Sequence, residues 1–455
     1  DYQVFREGAW STEQALVSYR YDAYRHLIEA SNAVGESERY DYDDAHVILQ
    51  RQLAGGASFF WEWERSGKAA RCVRHWASFS QMDTRYVWND DGSVAVHYVD
   101  GTEETYVHDE RARLVRQVSA DGGEQLKAYD DAGRLIAEQD ALGAVTEYRY
   151  DDVGRLIALI PPDEAPTSYE YRNGFLHKRS REQAVWIYRR NAEGDVTEAV
   201  DPDGQVTHYY YDTRGQLLSI RYPDSSRHRL VWNSLGQLTE ETLPEGGVRR
   251  FSYDALGRRT TTADEHGAVT RQHWDAVGRL IQTTFPTGST RAYSYGAYGQ
   301  VTAERDEQGH ITRYEYDDDL HLVSRRINPD GTRVQYRYDH AQLLLTEIEN
   351  ESGEKYRLDY TPTGLIRQES GFDGRRTAYA YDLNGHLLEK TEFGDDGSQL
   401  VTAYKRDAAG RLLVKTLPDG IKITYQYDRL GRLIGVDDGQ QHPLAFEYDR
   451  QDRLI

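Results

Sequence analysis

Tyr148-Arg-Tyr-Asp-Asp-Val-Gly-Arg-Leu-Ile157 is the stretch that decides the fold, because the chain repeats it with drift along most of its length. Close copies stand at Tyr129-Asp-Asp-Ala-Gly-Arg-Leu135, Tyr253-Asp-Ala-Leu-Gly-Arg258, Trp274-Asp-Ala-Val-Gly-Arg-Leu280 and Tyr427-Asp-Arg-Leu-Gly-Arg-Leu433. In each, two strand-like runs flank Asp-x-x-Gly. That spacing suits a type I turn whose following Gly sits in the left-handed region, the three-residue hairpin loop with a G1 bulge. Asp caps such a turn with its side chain, and Gly takes positive φ without a Cβ clash. The geometry sets Asp151 opposite Arg155 and Tyr150 opposite Leu156, and cross-strand pairs of this kind contribute roughly 0.2–1 kcal/mol each.

From Tyr129 onward, aromatic anchors are read at 129, 150, 171, 188, 211, 232, 253, 274, 295, 316, 338, 360, 381, 404, 427 and 448. A second series of turns lies between them, for example Asp201-Pro-Asp-Gly204, Asp264-Glu-His-Gly267 and Leu417-Pro-Asp-Gly420. Pro suits the second position of a type I turn because its φ is preset near −65°. Each interval between turns holds one strand of about six residues, as in Val206-Thr-His-Tyr-Tyr-Tyr211. Pro161 to Pro166 and Gly394 to Gly397 read as longer loops or insertions. No window has helical amphipathicity, and no linker divides the repeats.

Residues 1–128 carry a degraded form of the pattern. Tyr21-Asp22 and Tyr42-Asp43 keep the spacing, and Phe59-Phe-Trp-Glu-Trp-Glu64 reads as a strand with one strongly apolar face. Turns are marked at Asp90-Asp-Gly92 and Asp100-Gly101.

Composition agrees with a thin sheet. The chain has 455 residues, 38% hydrophobic and 29% charged, with 35 Tyr against 10 Phe. Tyr offers an apolar ring and a hydroxyl that tolerates water, which suits a single layer wetted on both faces better than a thick core. About 40 strands at roughly 4.8 Å make a ribbon on the order of 190 Å wide. A flat open sheet of that width is disfavoured by twist and exposed edges. The ribbon must curl, and the ring it would form is too wide for wall side chains to fill. The fold class expected is all-β: repeated antiparallel hairpins of about 21 residues in a long curled sheet, a hollow wall.

The net charge of −21 argues against a nucleic-acid partner, whose phosphates attract Lys and Arg. Cys72 is the single cysteine, so no internal disulfide is expected. No apolar run is long enough to span a bilayer, and no direct membrane insertion is expected. A chain that opens on Asp1 and stops at Ile455, directly after a repeat-like unit, reads as part of something longer.

Catalytic and metal sites are sought among the carboxylates. Asp130, Asp151, Asp254, Asp275 and Asp428 hold one turn position in every unit, which points to turn capping and pairing with Arg134, Arg155, Arg258, Arg279 and Arg432 rather than to acid–base work. Asp317-Asp-Asp319 and Asp201-Pro-Asp203 invite calcium, but the EF-hand order is absent. No zinc or nucleophile motif occurs. The expectation is no catalytic residue, cofactor or metal. Trp61, Trp63 and Trp76 are read as local core, with a sugar-stacking patch as the alternative. Tyr rows such as Tyr148/Tyr150 and Tyr336/Tyr338 are expected to pack between neighbouring hairpins.

The Tyr-Asp-x-x-Gly-Arg-Leu units resemble the YD repeats of the rearrangement hotspot (Rhs) family, most securely over 129–455. Phe59-Phe-Trp-Glu-Trp-Glu64 and Ala70-Arg-Cys-Val-Arg-His-Trp76 resemble a stretch found upstream of the main array in bacterial members. The resemblance implies a β-sheet cocoon around a chamber that holds the protein's own C-terminal toxin. On that basis 1–128 would be a degenerate N-terminal part of the shell and 129–455 the regular YD-repeat shell, in one architecture. Implied partners are that toxin and the N-terminal segment of the same protein, with a type VI secretion spike, chaperone and immunity protein as further candidates. The product would be made in the bacterial cytoplasm and delivered to a target cell in interbacterial competition. Family members commonly end the shell with an Asp-, Pro- and Gly-rich self-cleavage motif, and nothing after Tyr448 matches it. A surface adhesin or carbohydrate-binding array is the alternative function.

Overall fold

The structure, a computed structural model, describes residues 1–79, 82–317, 321–339, 341–440 and 442–455. Among them are 43 strands and no helix, so no helix is long and apolar enough to cross a membrane. Tyr2–Arg6 and Ala9–Gln14 pair as a two-stranded sheet of their own. All later strands belong to one long antiparallel sheet of about 41 strands that is not closed. The all-β hairpin array read from the repeat is the fold.

The turns form as their residues dictate. In the Tyr148 unit the Gly154 N–H donates to the Asp151 carbonyl (3.0 Å), and the Asp151 N–H donates to that of Arg155 (2.9 Å). Gly154 sits at φ 89°, a conformation that costs a residue with Cβ. Tyr150 stands opposite Leu156 as expected.

A second irregularity is not visible in the motif. Arg149 pairs with Ala158 while Tyr150 pairs with Leu156, so Ile157 has no partner across the ladder. The same break recurs beside Tyr129, Tyr211, Tyr253, Trp274, Tyr338 and Tyr427. The opposite-edge pairings have none, as with Gln139 on Val145 and Val200 on Val206. A bulge bends its strand and adds twist. It stands on the same edge of hairpin after hairpin.

Of the two readings of Gly394 to Gly397, a longer loop or an insertion, the structure gives the insertion. Gly394 to Gly397 is an ordinary turn, with the Gly394 N–H on Ser398 O and the Gly397 N–H on Gly394 O. The extra residues lengthen the strands instead, to Leu387–Phe393 and Gln399–Arg406. Pro161 to Pro166 does form a longer connection between Leu156–Ile160 and Thr167–Arg172.

Little of the sheet is covered. Among the described residues the buried apolar side chains are few, Phe251 and Val334 among the larger, and no large side chain is fully enclosed. Stability therefore rests on the ladder and on side-chain pairs spread along it.

Contacts group the chain into two units. One comprises 1–88, 96–102 and 231–357. Within it Arg279 reaches Glu36 (3.3 Å), and Gln14 Nε2 donates to the Ala276 carbonyl (3.0 Å). The other comprises 89–95, 103–230 and 358–455. Within it the Ala165 N–H donates to Arg429 O (2.8 Å), Arg181 Nη2 to Leu430 O (2.9 Å), and Gln451 Nε2 to Asp201 (3.0 Å). In both units these lap contacts join residues far apart in the chain, 243 to 262 residues by side-chain bonds in the first and 243 to 250 in the second. Turns at the Tyr-Asp edge, such as those of Arg279, Leu430 and Gln451, supply the later partner. Opposite-edge turns, such as those of Glu36, Ala165 and Asp201, supply the earlier one.

Candidate functional surface: the tyrosine–arginine seam

The repeated residues act between hairpins more than within them. Tyr150 Oη donates to the Leu135 carbonyl of the preceding hairpin (2.7 Å), and Tyr171 Oη to that of Leu156 (2.8 Å). The same link, 15 residues back, is made by Tyr42, Tyr129, Tyr211, Tyr253, Tyr316 and Tyr448. Where Trp replaces Tyr, the indole N–H does the work: Trp63 to Ile48 O (2.7 Å) and Trp274 to Arg259 O (2.8 Å).

Arginine runs the seam the other way. Asp151 Oδ1 accepts the Val153 and Arg155 N–H groups while Oδ2 accepts Arg155 Nε (2.7 Å). Fixed by its own turn, each guanidinium then reaches the next one. Arg134 Nη1 donates to Asp151 O (3.2 Å) and lies 5.2 Å from the Tyr150 ring centroid. Arg258, Arg279 and Arg432 repeat the carbonyl bond, and Arg155 covers Tyr171 at 4.8 Å. The five Asp–Arg pairs expected in the turns are therefore all present.

Two anchors move. Arg190 and Arg406, not Tyr188 and Tyr404, occupy the anchor position, since Arg190 pairs with Val196 and Arg406 with Leu412 as Tyr150 does with Leu156. Their guanidinium groups replace the hydroxyl. Arg190 Nε donates to Leu176 O (3.1 Å) and Arg406 Nε to Leu387 O (3.3 Å). Aromatic residues two places earlier mimic the repeat in sequence, and the substituted anchor hides it.

Electrostatics follow the bonding. The carboxyl of Asp151 is held below the usual carboxylate range, first by the Arg155 backbone N–H and then by the Arg155 side chain. Burial pushes the hydroxyls of Tyr171, Tyr211, Tyr295, Tyr316, Tyr338 and Tyr427 above the ordinary tyrosine value. Burial also raises the Cys72 thiol above the ordinary cysteine value.

The other sequence candidates are absorbed by structure. Trp61, Trp63 and Trp76 do not form one cluster: Trp61 stacks on His75 (4.8 Å), Trp76 on Phe60 (5.4 Å), and Trp63 is a seam anchor. Asp201 and Asp203 are taken up by Gln451 at 3.0 and 2.6 Å. Asp318 and Asp319 lie outside the described residues. Among the described residues no group of three or more His, Cys, Asp or Glu is placed to hold a metal ion. Tyr148 and Tyr379 donate to Glu138 (3.0 Å) and Glu369 (2.6 Å) on adjacent strands, so these Tyr rows do pack between neighbours.

Each seam link has a measurable weight. Tyr171→Phe removes one hydroxyl and leaves the Leu156 carbonyl without its donor, so urea unfolding should show a loss of about 1 kcal/mol. No change would mean that the hydroxyl is solvated rather than linked.

Two family profiles match the chain. One described as Teneurin YD-shell covers residues 310–454, and one described as RHS Repeat covers 129–166, 190–227, 232–269 and 274–311. The chain is 34% identical over 114 residues to double-stranded DNA deaminase toxin A of Burkholderia cenocepacia, a match over 25% of this chain and 8% of that protein. It is 28% identical over 113 residues to probable deoxyribonuclease RhsA of Dickeya dadantii, again over 25% of this chain and 8% of that protein. Among solved structures, TcdB2-TccC3 without its hypervariable C-terminal region matches with a TM-score of 0.61 at 13% identity, over 98% of this chain and 37% of that one. The chain thus matches only a small part of those relatives' length and about a third of the solved chain.

Proposed function

Since this chain belongs to the Rhs/YD-repeat family, we propose that it is a stretch of container wall that encloses a toxin carried by the same protein. The observation that carries the reading is the seam. Hairpin after hairpin is tied to the one before it by the ladder and by hydroxyl, indole or guanidinium bonds, while few side chains among the described residues are buried enough to form a core. A strip built this way resists opening at any one hairpin, which is what a wall needs and what a catalytic pocket does not. Residues 1–128 and 129–455 serve that wall together. The wall is non-enzymatic, and the chemistry named for the relatives resides in parts of those proteins that this chain does not match.

Enclosure keeps the passenger from meeting proteases or harming the cell that makes it. In this reading the passenger is the C-terminal toxin, and the N-terminal segment of the same protein is a further partner. Delivery to a competing cell with a type VI spike, a chaperone and an immunity protein completes the proposal. Limited proteolysis of the full-length parent tests it. The passenger should survive protease concentrations that digest the same domain expressed alone. Equal digestion of the two would end the container reading.

A further inference from the structure

Over residues 311–357, all within the first unit, the two faces of the sheet differ in charge. Registers across Ile311–Tyr316, Val323–Ile327, Arg333–Tyr338, Leu345–Glu349 and Lys355–Tyr360 align Arg313 with Ile327 and Arg333, Glu315 with Arg325, and Arg337 with Glu347 and Arg357. Because side chains alternate between faces, Arg313, Arg325, Arg333, Arg337, Lys355 and Arg357 share one face with only Glu315, Glu347 and Glu349. Tyr314, Tyr316, Tyr336 and Tyr338 take the other.

The carboxylates do not neutralise that face. Glu315 pairs with Arg325 (3.2 Å), and Glu347 alone serves Arg337 (2.6 Å), Lys355 (3.4 Å) and Arg357 (3.3 Å). Arg313 and Arg333 are exposed and have no ion-pair partner among the described residues. The next residue on that face, Asp359, is engaged by Arg367 (2.5 Å). Clustered like charges oppose folding, and the seam on the Tyr side needs none of them. A cationic face on a chain of net charge −21 is therefore better explained by something it binds.

We propose that this face takes an extended acidic polypeptide segment, its carboxylates pairing with the guanidinium groups of Arg313, Arg333, Arg337 and Arg357. Guanidinium forks match carboxylates in bidentate fashion, and a strand-lined surface suits an extended chain. Nucleic acid fits less well. Residues 311–357 place no aromatic ring on this face for bases to stack on. The proposal stands apart from the container reading, since the isolated chain presents this face whether or not it encloses anything.

The test is binding of a fluorescein-labelled oligoglutamate peptide to the full 455-residue chain, read by anisotropy. Binding should weaken as salt rises. Arg313→Glu combined with Arg333→Glu, which breaks no ion pair, should weaken it about tenfold or more while the circular dichroism spectrum is kept. Arg375→Glu, at an exposed turn where Arg375 pairs with Asp373 (3.3 Å), should leave it unchanged. The proposal fails if oligoglutamate binds no better than oligolysine, or if Arg375→Glu weakens binding as much as the double reversal. It also fails if a single-stranded oligonucleotide binds the same residues more tightly than the peptide.

Discussion

Arg279→Ala should lower the unfolding free energy by about 2–3 kcal/mol in urea titrations, the largest loss expected from any single seam residue. Arg279 makes four contacts at once. Its Nε donates to Asp275 (2.6 Å), its Nη1 donates to Gly296 O (3.3 Å), and its guanidinium covers the Tyr295 ring at 5.4 Å. The fourth is the ion pair with Glu36, 243 residues away, in which both side chains are about one-fifth exposed. Arg155 has the turn pair and the ring contact without the lap contact, so Arg155→Ala should cost distinctly less. A double-mutant cycle of Arg279 with Glu36 should return a coupling of about 0.5–1 kcal/mol. If the two arginine variants prove equally stable, the lap contact carries nothing.

Alkaline unfolding is the second large effect. Burial raises the hydroxyls of Tyr171, Tyr211, Tyr295, Tyr316, Tyr338 and Tyr427. A group whose value is higher in the folded state keeps its stabilising share below the unfolded value, about 10 for tyrosine, and loses it as pH rises through the folded one. The ionised ring also has no proton to donate to the carbonyl of the preceding hairpin. The seam should fail cooperatively above about pH 10. Absorbance at 295 nm and the far-ultraviolet β-signal should change together. Tyrosine ionisation completed with the sheet intact would show that these hydroxyls do not hold it.

The hairpin was legible in the motif because Asp, Gly and Arg satisfy one turn, and a turn is a local problem. Tyr150 opposite Leu156 followed from it. The outward reach of Tyr150 to Leu135 and of Arg134 to Asp151 did not, because spacing within one unit says nothing of the neighbour's carbonyls. Arg190 and Arg406 were missed for a related reason. They keep the donor and discard the aromatic ring, so a reading keyed to rings fastened on Tyr188 and Tyr404. The unpaired Ile157 leaves no compositional mark, since any residue can bulge. Glu36 meeting Arg279 joins residues 243 apart, and no window of sequence contains both. The charge of Arg313 and Arg333 was in plain sight, but only strand register puts them on one face.

The lap contacts join unlike borders, Tyr-Asp turns above and opposite turns below in the order of the chain. An interface between like borders would be satisfied by two layers and stop. One between unlike borders leaves a fresh border of each kind each time it forms, as head-to-tail subunit contacts do in open assemblies. A joint of this kind sets, by its own chemistry, no limit on how often it can be repeated.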